Sequence, residues 1–373
     1  MNSSSRASKQ VFGLLFSFAK NSPNITLVTG ICECVSAIGP LLGGGHSLLQ
    51  SQYGFALDNL ISVRLVLADG TIVDVSRTRN ADLFWALRGA GHNFGVVTSF
   101  KVKLYDAPPQ YQLYSLLFQQ DKLEPLFNLI NEIDSPTRAR DPKLFINGVL
   151  TRIPSGAAVF NYTIIYPGTK AQLEAHAKPF LDIGPSFTKY VPDLNYGNIY
   201  VAFGQGKSSG PCMKNTNQGL MGVALPKWDI EGMKKAYTIY QNLTADPRFP
   251  YSFILLENYG IVNVKTVDPD SVSLPREERE RPILASPVIT YRVANDQTKN
   301  DASDYSSRIK DALYMAVDAS NGKVKRHAYV NYASGLESVP EIYGYEQWKI
   351  DKLKKLKKKW DPNNRFRFYN PLV

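Results

Sequence analysis

Two glycine-rich runs constrain this chain more than any other feature of its sequence. Residues 43–54 read GGGHSLLQSQYG, and residues 89–98 read GAGHNFGVVT. Glycine has no Cβ atom, so such runs let another group lie directly against the backbone, and they also permit turns that other residues avoid. The runs therefore predict either a ligand held against bare backbone or a pair of tight turns.

The residues around the second run exclude the usual dinucleotide-binding loop. A helical pattern precedes the run, from the candidate cap Asn80 to the candidate terminator Gly89, and a strand pattern follows it and ends at Pro108-Pro109. A Rossmann loop instead follows a strand and opens a helix. The first run lacks the Gly-Lys-Ser or Gly-Lys-Thr ending of a P-loop. Neither run is therefore a familiar nucleotide loop.

Periodicity divides the chain, whose 373 residues are enough for two domains. Asp69-Gly70 lies between two β-branched runs of residues 59–77 and predicts a hairpin. From about residue 110, extended and helical runs alternate, which favours a sheet covered by helices. Residues 274–283 lack periodicity and are predicted to form a surface loop, whereas 328–332 reads as an extended run. The double proline at 108–109 marks a domain boundary, so we expect a first domain at 1–108, a second domain at 109–325 and a C-terminal segment at 326–373.

The net charge of +10 comes largely from the lysine-rich segment 348–360. Ile350, Leu353 and Leu356 fall at helical spacing, and lysines occupy much of the remaining circumference. This pattern is typical of an amphipathic helix whose lysines are solvated. Because no nucleic-acid-binding motif accompanies the charge, we expect no nucleic-acid partner.

The N-terminal apolar stretch and the cysteines exclude two further classes. Residues 11–19 are too few to span a membrane, and no small-residue cleavage site of a signal peptide follows them. Cys32 and Cys34 have no second pair that would complete a zinc site, so we predict no metal and no membrane partner.

Taken in order, the motifs resemble the berberine-bridge-enzyme-like FAD-linked oxidoreductases, and among them the fungal members of secondary-metabolite pathways. The similarity covers residues 25–373. The motifs that carry it are GICECVSAIGPLLGGGHS, YGFALDN, VRLVLADGTIVDV, NADLFWALRGAGHNFGVVTSF, AYVNYASG and YGYEQWKIDKLKKLKKKWDPNNRFRFYNP.

This resemblance implies an α+β fold of the vanillyl-alcohol-oxidase (PCMH) type. Such a fold has an FAD-binding domain in two lobes, an antiparallel-sheet substrate domain covered by helices, and a C-terminal segment that returns to the flavin side. The resemblance thus implies that 1–108 is a partial FAD-binding domain (its second lobe), that 109–325 is the substrate domain and that 326–373 is the returning segment. The implied activity is oxidation of a small organic substrate by hydride transfer to FAD, which molecular oxygen then reoxidises. The family and the sequons at Asn2, Asn24, Asn161 and Asn242 favour the secretory route, and the compartment stays open.

The resemblance also implies which residues contact the cofactor. Cys32 stands where some relatives carry a cysteine bonded to the flavin, although a small buried cysteine is the alternative. His46 could instead order its own loop. The implied cofactor-binding residues are Cys32, Gly43, Gly44, Gly45, His46, Asn59, Gly95, Val96, Val97, Asn331, Tyr369 and Asn370.

The oxidation needs a group that accepts a proton. If residues 328–332 form a strand, Tyr329 shares a face with Asn331 and Tyr332 faces the opposite way, which favours Tyr329. A local bulge would favour Tyr332 instead. Glu257 ends a strand pattern of the substrate domain and is the third candidate. The alternatives are that both tyrosines are packing residues and that Glu257 is an exposed acid.

Aromatic residues in the middle of the chain either line a substrate pocket or fill the core, and the sequence does not decide between the two. These residues are Tyr162, Tyr196, Tyr200, Phe203 and Tyr259.

The family pattern includes a first flavin-binding lobe that this chain does not match. That lobe carries a pyrophosphate-cradling loop and, in many members, a histidine bonded to the flavin, whereas only residues 11–30 match its last helix and strand. We expect an N-terminally incomplete version of a longer protein; a natural short form is the other interpretation. The alternative function is a flavin-free or inactive relative that binds or cyclises a pathway intermediate without redox chemistry.

Overall fold

The computed structural model of the chain describes residues 24–135 and 137–373. The apolar stretch at 11–19 lies outside the described residues. The strands are β1 (Ile25–Thr26), β2 (Leu60–Val66), β3 (Ile72–Ser76), β4 (Val96–Val102), β5 (Tyr105–Asp106), β6 (Tyr111–Phe118), β7 (Phe145–Arg152), β8 (Ala158–Pro167), β9 (Phe187–Leu194), β10 (Asn217–Leu220), β11 (Val223–Leu225), β12 (Phe253–Asn258) and β13 (Ile283–Tyr291). The α-helices are α1 (Ile38–Leu42), α2 (Gln50–Tyr53), α3 (Ala81–Ala90), α4 (Leu123–Ile133), α5 (Lys170–Asp182), α6 (Ile199–Ala202), α7 (Ile230–Ala245), α8 (Arg276–Glu280), α9 (Asp296–Leu313), α10 (Met315–Asp318), α11 (Val339–Tyr343) and α12 (Gln347–Trp360). In this part of the chain, no helix is both long enough and apolar enough to cross a membrane.

The chain divides into two compact units, each built from separate stretches of sequence. The first unit contains the described residues up to 107 together with 261–280 and 329–373. The second unit contains residues 108–260 and 281–328.

The first unit is built around an antiparallel sheet in the order β3-β2-β4. The predicted hairpin is confirmed: Val66 pairs with Ile72 across the turn, and Gly70 has a φ of 87°, which is in the left-handed region that glycine favours. Val63, Leu65 and Val75 are buried, so the sheet presents an apolar face to α3.

Helix α3 also matches its predicted position, with two differences at its ends. Asn80 does not cap the helix with its side chain, because its Nδ2 donates to the Asp74 carbonyl oxygen instead. The helix bends at Gly89, whose φ is 136°. A Cβ atom at Gly89 would lie 2.4 Å from the backbone nitrogen of Leu274, so this position requires glycine for a close approach of two segments.

Helix α12 confirms the predicted amphipathic helix of the lysine-rich segment, with Ile350, Leu353 and Leu356 buried. The prediction that its lysines are solvated is wrong for two of them. Lys349 and Lys357 are 0% and 1% exposed, because carbonyl oxygens and carboxylates of the unit bind their ammonium groups.

The prediction of a surface loop at 274–283 is wrong. Residues 276–280 form α8, and β13 begins at Ile283. Glu278 and Arg279 are each 2% exposed, and Arg279 binds both carboxylate oxygens of Asp58 at 2.7 and 3.0 Å. A charged segment without periodicity is buried here because its charges are paired.

The extended run predicted at 328–332 is a turn. The Tyr332 N–H donates to the Tyr329 carbonyl oxygen at 2.9 Å, and no strand includes these residues. The argument from strand faces therefore does not apply to Tyr329 and Tyr332.

The second unit contains a larger antiparallel sheet, in the order β10-β13-β12-β7-β8-β6-β9 with β11 paired to β13. Helices α7 and α9 contact each other, and α9 also contacts β13. Ile146, Phe160, Ile164 and Ile254 belong to the buried apolar cluster on the helix-covered face. This arrangement confirms the predicted antiparallel sheet covered by helices.

Candidate functional site

The glycine run at 43–45 is packed closely by other parts of the first unit. A Cβ atom on Gly43 would lie 2.4 Å from Asn331 Oδ1, and one on Gly45 would lie 2.4 Å from Ala56 Cβ. Gly44 and Gly45 have φ angles of 135° and 83°. A side chain would therefore strain the backbone at Gly44 and Gly45, and at Gly43 it would push the run away from Asn331.

The Tyr329 hydroxyl group is at the centre of this contact. Its oxygen accepts hydrogen bonds from the Gly45 N–H at 2.9 Å and from Asn331 Nδ2 at 2.6 Å. Asn331 Nδ2 also donates to the Pro40 carbonyl oxygen at 3.0 Å. Two segments that are distant in the sequence, residues 40–45 and 329–331, are thus joined through the Tyr329 hydroxyl group and the Asn331 carboxamide.

Burial sets the protonation state of Tyr329. Removal from water raises its pKa above the usual range, and the negative charge of Glu278 raises it further. The hydrogen bonds from Asn331 and from the backbone of Gly45 act in the opposite direction but are smaller. Tyr329 is therefore a neutral phenol at neutral pH.

His46 connects the glycine run to α8. Its Nε2 lies 2.6 Å from Glu278 Oε1, its Nδ1 lies 2.9 Å from Gln50 Oε1, and both His46 and Glu278 are buried. The ring of His46 meets that of Tyr329 edge-on, with a centroid distance of 4.7 Å. The sequence did not indicate Glu278, because a run of charged residues between two prolines carries no signal about a partner 232 residues away.

Tyr369 and Asn370 hold the turn of residues 328–332. Tyr369 Oη donates to the Val330 carbonyl oxygen at 2.6 Å, and Asn370 Nδ2 donates to the same oxygen at 3.2 Å. Both residues were predicted to bind the cofactor; in the structure they adjoin Asn331 through the backbone of this turn.

His92 belongs to a neighbouring buried cluster. Its Nε2 lies 2.8 Å from Tyr343 Oη and 2.9 Å from Asn93 Nδ2, and Tyr343 donates to the Asn370 carbonyl oxygen. Burial lowers the pKa of His92 to about 4, with a smaller lowering by the charge of Lys357. His92 is therefore neutral at neutral pH.

One buried atom of this region has a hydrogen-bonding capacity that the described residues do not use. Asn370 is 5% exposed, and its Oδ1 has no hydrogen-bond partner among them. A buried acceptor without a donor costs stability unless a bound molecule satisfies it. An unused carboxamide acceptor of this kind suits the polar groups of a flavin, as does the half-buried carboxamide of Asn331.

Asn59 has a structural role in the described contacts. Its Nδ2 donates to the carbonyl oxygens of Tyr53 and Phe55 at 3.0 and 2.9 Å, and its Oδ1 accepts from Tyr105 Oη at 2.5 Å. Its cofactor contact remains a prediction.

The other predicted cofactor residues lie at the start of β4 and near α1. A Cβ atom on Gly95 would lie 2.6 Å from the Val66 carbonyl oxygen, so the sheet itself requires this glycine. Val96 is 56% exposed and Val97 is half-buried, which leaves both able to meet a ligand. Cys32 is half-buried, with its Sγ 3.3 Å from that of Cys34.

The three candidate catalytic residues do not all come from one unit. The Tyr332 ring is half-buried and lies edge-on to the Tyr329 ring, at a centroid distance of 5.3 Å. Glu257 belongs to the second unit, where it accepts a hydrogen bond from Tyr259 Oη at 3.1 Å. The alternative that Glu257 is an exposed acid is wrong, since it is 1% exposed.

The aromatic residues of the second unit divide between core and cavity. Phe203 lines a cavity on the sheet, whereas the others are buried. The buried ones are Tyr162, Tyr196, Tyr200 and Tyr259.

Comparisons with known proteins identify the family. The family model described as "Berberine and berberine like" matches residues 328–372, which include the turn and α12. The FAD-linked oxidoreductase anuG from Penicillium roqueforti (strain FM164) is 34% identical over 352 residues, which cover 92% of this chain and 67% of that protein. This chain belongs to the berberine-bridge-enzyme-like FAD-linked oxidoreductases.

Two further comparisons agree with this assignment. The FAD-linked oxidoreductase chry5 from Gibberella zeae is 33% identical and covers 93% of this chain and 68% of its own length, so the chain spans about two thirds of these relatives. The solved structure of a chitooligosaccharide oxidase has a TM-score of 0.77 at 19% identity and covers 97% of this chain and 76% of that one. This likeness establishes the expected α+β fold of the family.

Proposed function

We propose that the chain is an FAD-dependent oxidase of a small organic molecule whose chemistry centres on the turn of residues 328–332. The observation that carries this proposal is the meeting of Gly45, Tyr329 and Asn331 in one buried hydrogen-bonded group. Family membership supplies the class of reaction, and this group is the part of the first unit where predicted cofactor and catalytic residues coincide.

The residues that would hold the flavin are those with backbone or amide groups at this place. They are the backbone of Gly43–Gly45, the carboxamide of Asn331 and the unsatisfied Oδ1 of Asn370. When bound, FAD supplies the acceptor for two electrons.

The protein must also receive a proton as the substrate is oxidised, and we assign this task to Tyr332. Because burial raises the pKa of Tyr329, that residue resists becoming a phenolate. Tyr332 is half-buried, so its charged form loses less hydration. Tyr329 is then a positioning residue, which fixes Asn331 and the glycine run.

Molecular oxygen is the electron acceptor that we propose for the second half of the reaction. The substrate gives up two electrons and two protons, and oxygen takes them up as hydrogen peroxide. Peroxide and oxidised product should therefore appear in equal amounts.

Two tyrosine variants test these assignments in FAD-loaded protein, with peroxide release measured over a panel of aromatic primary alcohols. Tyr332→Phe should lower kcat by about 10²- to 10⁴-fold, as expected for loss of a proton-accepting group, with KM little changed. The matched variant Tyr329→Phe should retain more activity but lose thermal stability, because it leaves the Gly45 N–H without its acceptor. Full activity of Tyr332→Phe alongside an inactive but stable Tyr329→Phe would reverse the two roles.

A further inference from the structure

A cavity of about 320 Å³ lies on the second unit's sheet, on the face that the helices do not cover. Its floor comes from β7, β8 and β12, where register pairs Asn147 with Thr163 and Val149 with both Asn161 and Leu255. Directly opposed residues point to the same side of an antiparallel pair. The cavity is therefore floored by neighbouring side chains of three adjacent strands.

The floor of the cavity contains a buried donor without an acceptor. Asn147 is 7% exposed, and its Nδ2 has no hydrogen-bond partner among the described residues. The neighbouring floor residue Asn161 is engaged through its Oδ1, which accepts from Ser115 Oγ at 3.0 Å. A buried amide donor without a partner lowers stability, so its presence in a cavity floor indicates that a ligand oxygen completes it.

The rest of the lining combines apolar side chains with polar ones such as Arg152. Phe203 and Met213 come from the segment that covers the cavity, and Phe253 and Leu255 come from β12. Aromatic and aliphatic walls beside placed polar groups are typical of sites for small organic molecules, and the volume is at the lower end of the range for such sites, about 300–1,000 Å³. A ring that carries a polar substituent suits a lining of this mixed kind.

We propose that this cavity binds the substrate through a ring system that carries a carbonyl or comparable oxygen acceptor, and that Asn147 Nδ2 donates to that oxygen. The inference rests on the proposed oxidase function, since it names the class of molecule that the enzyme accepts. Asn147 is then the residue that selects oxygenated rings over hydrocarbons of the same shape.

Two small probes of nearly the same shape isolate the hydrogen bond. Acetophenone carries a carbonyl oxygen where α-methylstyrene carries a methylene group. Titration of the full chain by saturation-transfer NMR gives the ratio of their affinities in the wild type and in Asn147→Leu. We expect the preference for acetophenone to fall about 3- to 10-fold in the variant, the range that one neutral hydrogen bond provides.

Thermal stability provides a second readout with a matched control. Asn147→Leu removes an unsatisfied donor, so its Tm should equal or exceed that of the wild type. Asn131→Leu removes a carboxamide that exchanges two hydrogen bonds with the backbone of Trp228, at 2.9 and 2.8 Å, so its Tm should fall. In Asn131→Leu, the ratio of the affinities for acetophenone and α-methylstyrene should stay at the wild-type value.

Three results would overturn the inference: absence of binding by both probes, an unchanged ratio in Asn147→Leu, or a loss of Tm in that variant as large as in Asn131→Leu. Retention of FAD is measured separately, by the visible spectrum after desalting. A protein that loses FAD but keeps the Asn147-dependent preference contradicts the oxidase proposal and leaves the cavity assignment standing. A protein that retains FAD but lacks the Asn147-dependent preference contradicts the cavity assignment alone.

Discussion

Single side chains join segments of the first unit that are far apart in the sequence. The Gly45 N–H reaches Tyr329 Oη at 2.9 Å, and Asn331 reaches the Pro40 carbonyl oxygen at 3.0 Å. The glycines are needed because a Cβ atom at Gly43 would collide with Asn331. Contacts of backbone with polar side chains thus hold these two segments together, and it is here that we propose the flavin binds.

The resemblance to the family predicted some of these contact residues from the sequence alone. Local sequence patterns did not predict the others. The glycine run and Asn331 could be named together from the ordered motifs. Glu278, which lies 2.6 Å from His46, could not, because helix or strand periodicity reports burial of apolar residues and is silent on buried polar contacts.

His92 gives a prediction about pH at this scale. Burial lowers its pKa from 6.5 to about 4, so folding favours the neutral ring. Its contribution to stability is present above about pH 6.5 and is lost as pH falls towards 4. Urea unfolding at pH 7 and pH 4.5 should show that the wild type loses about 2–3 kcal/mol more than His92→Gln over this interval. Equal losses in the two proteins would show that the ring is already protonated or exposed when folded.

Helices and strands with strong periodic signals were predictable one by one. The Asp69-Gly70 hairpin, α3 and α12 each combine a regular apolar pattern with a turn or end signal. The errors fall where that signal is absent: α8 is charged and short, and residues 328–332 form a turn despite their β-prone composition. In both places, tertiary hydrogen bonds rather than local preference decide the conformation.

The buried lysines of α12 give a prediction at the scale of the element. Lys357 Nζ binds Asp361 at 2.7 Å and the carbonyl oxygens of Asn93 and Phe366 at 2.8 Å each. Lys357→Met would leave the buried Asp361 carboxylate without its cation and should cost about 3–5 kcal/mol of unfolding free energy.

The exposed neighbour provides the control for this prediction. Lys358→Met makes the same chemical change on the solvated side of the helix, and should alter the unfolding free energy by no more than about 0.5 kcal/mol. Similar losses in both variants, measured by urea unfolding, would show that helix propensity rather than the buried cluster controls stability here.

At the scale of the whole molecule, the family accounts for the fold and the reaction class, and each unit carries a distinct part of the proposed chemistry. The first unit contains the glycine run, the turn and the terminal residues Tyr369 and Asn370. The second contains the cavity with Asn147. Sequence periodicity predicted the sheet covered by helices. It could not predict the cavity, because the cavity depends on which face of the sheet each polar residue occupies, and only the register of the strands determines that face.

The central claim is that this chain holds FAD at the group formed by Gly43–Gly45, Tyr329 and Asn331. The purified chain is incubated with FAD and desalted, and its visible spectrum is compared with that of Asn331→Leu, with circular dichroism as the check on folding. We predict that the wild type retains flavin absorbance at a near-equimolar ratio and that the folded variant loses most of it. A folded wild-type protein that is colourless after desalting would contradict the account and would favour a flavin-free relative.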